Sequence, residues 1–214
     1  MSAIQMAPNA SGTGTLSIAS PNTNTNRTLT LPDQTGTLVS TSGVNAVGQI
    51  PFSTDGSTYT ATAKIVSGTA VASTSGTSID FTSIPSWVKR ITVMFNGVST
   101  NGTSNIQIQL GAGSVTTSGY IGSAAFVSGG TQASFTAGFG VVNSPAAAGV
   151  YSGAIVLVNV NSNTWVSSGN MSSTGNNWVS AGTVPLSGTL DRVRITTVSG
   201  TDAFDAGSIN LLWE

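Results

Sequence analysis

The sequence predicts an all-β protein: an extended N-terminal segment followed by an antiparallel, jelly-roll-like β-sandwich head. Three observations predict it. Apolar and polar residues alternate in short runs, as where Ile106, Ile108 and Leu110 interleave with Gln107 and Gln109, or Val193 and Ile195 with Arg192 and Arg194. Turn formers such as Asn96-Gly97, Asn101-Gly102 and Gly129-Gly130 separate the runs, which recur at intervals of roughly eight to fifteen residues. No stretch of about ten residues joins good helix formers to apolar spacing at i, i+3, i+4 and i+7.

The elements follow in chain order. Residues 1–43 place the turn formers Pro21, Asn22, Asn24 and Asn26 between two alternating runs, Thr15-Leu16-Ser17-Ile18 and Arg27-Thr28-Leu29-Thr30-Leu31. Two strands cannot enclose a core of their own. Leu16, Ile18, Leu29, Leu31 and Leu38 therefore stay wet unless copies of the segment or another protein cover them, and the segment is expected to serve attachment and trimer winding. Residues 44–64 read as a linker in which Pro51 marks a bend and Asp55-Gly56 suits a small hairpin with a type I′ turn. Residues 65–214 read as the head. Its expected strands lie near Val66–Ser73, Ser78–Phe81, Lys89–Phe95, Ser104–Leu110, Tyr120–Val127, Gln132–Val142, Tyr151–Val158, Thr164–Ser168, Trp178–Ala181, Val193–Val198 and Ser208–Trp213.

Composition narrows the function. Only 6% of the 214 residues are charged and the formal net charge is −1, whereas soluble domains average about a quarter charged residues. Solubility must rest on hydroxyls and amides, and no field exists to steer nucleic acid or an anionic membrane. Hydrophobic residues at 39%, with four Trp, seven Phe and three Tyr, suffice for a core. Cysteine and histidine are absent, which rules out a disulfide framework, thiolate metal sites and the commonest general base. No cofactor or metal is expected. Met1–Pro8 lacks a signal peptide's basic and apolar regions, and no later run approaches the ~20 apolar residues of a membrane span; synthesis in a cytoplasm and exit by a route other than Sec are expected.

Catalytic groups are hard to find. Glycan hydrolysis needs two carboxylates about 5–10 Å apart across the bond. Asp202 and Asp205 are three residues apart in the turn after the strand that carries Arg192 and Arg194, and pairing with those arginines is the expectation, which leaves them ionised. Without histidine a serine nucleophile lacks its usual base, and neither Gly111-Ala112-Gly113 nor Gly138-Phe139-Gly140 precedes a helix and lysine that could hold phosphate. Binding chemistry is better represented. Loops of Ser, Asn, Gly and Thr can hydrogen-bond sugar hydroxyls, and nearby aromatic faces can stack on a pyranose. The richest segment runs from Trp165 to Trp178, so the candidate receptor-binding residues are Tyr120, Trp165, Asn170, Asn176, Asn177 and Trp178. For the three aromatic residues, core packing and an exposed platform both remain open.

Four stretches carry a resemblance: TLTLPDQTGTLV (28–39), GQIPFSTDGS (48–57), SGTSIDFTSIPSWVKRITVMFNGV (75–98) and LDRVRITTVSGTDAFDAGSIN (190–210). The first two resemble segments of tailed-bacteriophage fibre proteins, and the last two are similar to the C-terminal domain of phage and prophage tail fibres. The resemblance implies a homotrimeric structural fibre on the virion exterior, made in the host bacterial cytoplasm, with an N-terminal virion-attachment segment and a distal β-sandwich tip. The implied partners are two further copies of the chain, other virion proteins through residues 1–43, and a host cell-surface glycan, with neither nucleic acid nor membrane insertion. It assigns a role to no individual residue. Phage tail fibres are often far longer, and here only residues 44–64 separate anchor from head, so a capsid head fibre or shell-stabilising decoration protein is the alternative. A glycan-degrading tailspike is the third reading, and it lacks the long repetitive β-helix and carboxylate cluster that such enzymes need.

Overall fold

Side chains that alternate between apolar and polar suit a pleated strand with one buried face, and the computed structural model of the protein shows these runs paired into antiparallel sheets. It describes Asn24 and residues 49–53, 59–63, 65–147 and 149–214. The expected attachment strands, with Leu16, Ile18, Leu29, Leu31 and Leu38, lie outside the described residues. Within the expected linker, β1 (Gln49–Ser53) pairs with β2 (Tyr59–Ala63), Gln49 opposite Ala63 and Ser53 opposite Tyr59. This is the hairpin expected around Asp55-Gly56, which itself lies outside the described residues.

The head is built from β3 (Val66–Ser67), β4 (Val71–Ala72), β5 (Ser78–Thr82), β6 (Arg90–Thr100), β7 (Ile106–Ala112), β8 (Ser114–Val115), β9 (Ile121–Phe126), β10 (Thr131–Phe135), β11 (Phe139–Val142), β12 (Tyr151–Asn161), β13 (Thr164–Ser173), β14 (Asn176–Pro185), β15 (Arg192–Thr197) and β16 (Phe204–Trp213). A nine-stranded sheet runs β10-β9-β14-β13-β12-β6-β16-β3, with β4 also pairing with β16. A five-stranded sheet runs β11-β7-β15-β5, with β8 beside β7. Ile91, Val93, Phe95, Ile155, Leu157, Ile209 and Leu211 from the large sheet join Ile106, Ile108, Leu110, Val193 and Ile195 from the small one in a single buried cluster. Two antiparallel sheets that share one core are consistent with a β-sandwich. Consecutive strands β12, β13 and β14 lie side by side in one sheet, joined as hairpins, instead of alternating between sheets as jelly-roll wrapping does.

Three expectations change in the details. The run Gln132–Val142 is two strands in different sheets, because the chain turns a corner at Thr136-Ala137-Gly138. The corner leaves no room for larger residues: a Cβ on Gly140 would come within 2.4 Å of the Phe135 ring. Gln107 and Gln109 are buried on the face expected to be open, since the same corner folds across them and Gln109 Nε2 donates to the Ala137 carbonyl at 2.9 Å. Asn96-Gly97 is a bulge inside β6 instead of a turn. Gly97 has φ +64°, and the register of both neighbouring strands shifts beside it.

Candidate functional site: the outer face of the large sheet

Strand register lays the outward residues of the nine-stranded sheet in rows. One row reads Gln132, Ala125, Val179, Asn170, Ala154, Met94, Asn210. The next reads Ser134, Ser123, Ala181, Ser168, Val156, Thr92, Leu212, Ser67. A third reads Ile121, Thr183, Val166, Val158, Arg90. Arg90 alone in these rows is charged, and its guanidinium is bonded to Glu214 at 2.9 Å. The face therefore presents hydroxyls and amides among short aliphatic side chains, with Ile121 75% and Val179 49% exposed.

Strand parity sorts the candidate residues. Residues 169–173, read from sequence as loop, belong to β13, so alternation continues through them. Asn170 and Asn177 are exposed, Asn170 in the first row and Asn177 opposite Ser172 beyond it. Asn176 is half-buried at the hairpin end, opposite Ser173. Trp165, Trp178 and Tyr120 lie on the other side, each 3% exposed or less. The exposed-platform reading of these three aromatics is thus corrected. Trp178 stacks on Phe126 with ring centroids 4.7 Å apart and meets Tyr151 edge-on at 5.3 Å, while its Nε1 donates to the Asn143 carbonyl at 2.9 Å. The Tyr120 hydroxyl accepts from the Leu110 amide nitrogen at 2.7 Å, and the ring meets Phe139 edge-on. Burial pushes its phenol up to about 12, against the opposing pull of that hydrogen bond. Period-two alternation places Asn170 and Trp165, five apart in one strand, on opposite faces, so amide and indole cannot grip one ligand from this sheet.

The acids also settle differently from expectation. Arg192 pairs with its neighbour Asp191 at 2.8 Å, and Arg194 with Asp80, which faces it across the β5–β15 ladder, at 2.6 Å. The hydrogen bond from Arg192 holds the Asp191 carboxyl below its usual range. Asp202 instead ties two loops, accepting from the Ser104 amide nitrogen at 2.8 Å and from the Ser199 hydroxyl at 3.4 Å. The two carboxylates singled out from sequence thus hold neither arginine. Among the described residues no cluster of three metal-ligating side chains occurs.

Sequence reasoning named Asn170 and Asn177 but missed the rows around them. The signal is present in the alternating Ala154, Val156 and Val158 and in Ser168, Asn170 and Ser172, but each run reveals only its own strand, and only register joins strands into a surface. No family model, curated protein or solved structure matches the chain.

Proposed function

We propose that the chain is a non-catalytic structural and binding protein, the subunit of a short homotrimeric fibre on the exterior of a tailed bacteriophage. Residues 1–43 attach it to the particle, and the head contacts the host surface, with glycan as its ligand. The observation that carries this reading is the neutral outer face of the nine-stranded sheet. Hydroxyls and amides recur there at the strand spacing of about 4.8 Å, so a saccharide laid across the strands meets donors and acceptors in a regular array. Val179, Ala181 and Val156 lie between them as apolar contacts for sugar C–H groups. Each contact is weak and unassisted by charge. Three heads per fibre and several fibres per particle convert low single-site affinity into avidity.

The test uses the full-length protein and purified surface polysaccharide of a bacterial host. Light scattering should give three chains per particle, the polysaccharide should bind without release of fragments, and Val179→Asp should weaken binding several-fold while leaving the melt unchanged. A monomer removes the fibre, fragment release makes the chain an enzyme, and the absence of binding favours the decoration role.

A further inference from the structure

Away from the outer face, three connections converge on a cleft of about 100 Å³. Ser86, Val88 and Lys89 come from the β5–β6 connection, Ser162 from the β12–β13 turn and Thr189 and Leu190 from the β14–β15 connection, while Asn159 of β12 and Trp165 of β13 complete the lining. Backbone bonds hold the walls: the Asn159 amide nitrogen donates to the Lys89 carbonyl at 2.8 Å and that of Leu186 to the Asn163 carbonyl at 3.0 Å. The Asn159 side-chain nitrogen donates to the Ser162 and Thr164 carbonyls, at 3.1 and 3.2 Å, which orders the turn. The cleft is preformed, so little ordering opposes a ligand.

Its charge sets it apart. Among the described residues, Arg90, Arg192 and Arg194 each hold a carboxylate at 2.9, 2.8 and 2.6 Å. Lys89, exposed at this cleft, holds none. The hydroxyls of Ser86, Ser162 and Thr189 likewise have no hydrogen-bond partner among the described residues. An ammonium and three free hydroxyls line one recess, with the buried Val88, Trp165 and Leu190 beneath them.

We propose that this cleft binds the carboxylated edge of an acidic sugar residue, a uronate or sialate, and this rests on the reading that the head binds host-surface glycan. The Lys89 ammonium donates to the carboxylate in a charge-assisted hydrogen bond. The Ser86, Ser162 and Thr189 hydroxyls bond the ring hydroxyls beside it. A volume of about 100 Å³ takes one carboxylated edge and leaves the rest of the glycan outside. Specificity follows from chemistry that neutral sugars lack. Charge attraction at an exposed lysine also makes the affinity fall with ionic strength.

The experiment titrates the full-length protein with methyl glucuronide, N-acetylneuraminate, methyl glucoside and inorganic phosphate, following binding by calorimetry and tryptophan fluorescence. At least one acidic sugar should bind at least about tenfold more tightly than methyl glucoside, and Lys89→Gln should remove that advantage with its melting curve unchanged. Lys89→Arg should retain most of it. Phosphate binding as tightly as the acidic sugars would make this a generic anion site and overturn the proposal. So would equal affinity for glucoside and glucuronide, an acidic-sugar affinity that survives Lys89→Gln, or failure of both acidic sugars to bind. If the proposal fails in any of these ways while host polysaccharide still binds, the glycan-binding reading stands and the outer face carries it; loss of polysaccharide binding as well removes both.

Discussion

The Tyr120 hydroxyl sits in the core, accepting from the Leu110 amide nitrogen at 2.7 Å, with its ring edge-on to Phe139. A phenol in this position costs nothing while it is neutral and hydrogen-bonded, and a great deal if it ionises, because the anion would leave water for an apolar surround. Its pKa accordingly rises from 10.0 to about 12. The sign follows from linkage. A group raised on folding contributes its stability fully below pH 10, and that contribution is lost as pH climbs through about 12, because the unfolded chain sheds the proton first. The loss expected is on the order of 2 kcal/mol, and Tyr151, also raised by burial, acts in the same direction. Urea midpoints measured from pH 9 to pH 12 should fall with pH, and less steeply in Tyr120→Phe. A mutant slope equal to that of the parent would show that the hydroxyl is already solvated. Asp191 works the opposite way. Held below its usual range by Arg192, it favours the native state above the ordinary carboxylate pKa and loses that effect as pH falls through its depressed value. It is exposed enough that the effect is small.

Strands β6 and β16 carry a paired irregularity where Gly97 and Gly207 face each other, at φ +64° and +90°. A Cβ on Gly207 would lie 2.3 Å from the Gly97 carbonyl oxygen, a backbone atom that cannot swing away. Gly207→Ala is therefore expected to destabilise the head by about 3 kcal/mol or more, combining left-handed strain with a backbone clash. Gly113, at φ +75° with nothing within 4 Å of its would-be Cβ, separates the two causes: Gly113→Ala should cost only about 1 kcal/mol. Equal losses in chemical denaturation would mean that the bulge is free to relax. The bulge also explains how a strand that reads as two pieces, with Asn96-Gly97 as punctuation, spans Arg90–Thr100 unbroken. An inserted residue absorbs the positive φ, and pairing resumes on both sides.

At the scale of the whole head, one buried cluster draws on both sheets and reaches from Ile79 to Leu211. Such a core should need no help from residues 1–64. The fragment 65–214 is expected to unfold in one cooperative transition with a near-ultraviolet dichroism signal from its packed aromatics, and to be monomeric, in contrast to the trimer proposed for the full chain. A gradual melt would show that the head needs surfaces supplied by other chains. Much of this architecture was legible in the sequence: the all-β class, the hairpin at Asp55-Gly56, and most strand positions come from alternation and turn chemistry, which act over a few residues. The candidate site was legible only in part. Asn170 and Asn177, candidates from sequence, are exposed, whereas for Trp165, Trp178 and Tyr120 composition does not say which face a side chain takes, and all three are buried. Local sequence thus determined that this chain makes strands and how little charge they carry. The tertiary structure alone decided which strands are neighbours, that the run Gln132–Val142 turns from one sheet to the other, and that Lys89 and Thr189, a hundred residues apart, line one cleft. The physical reason is that side-chain parity is reset at every bulge and corner, and that register between strands distant in sequence is chosen by the packing of the shared core.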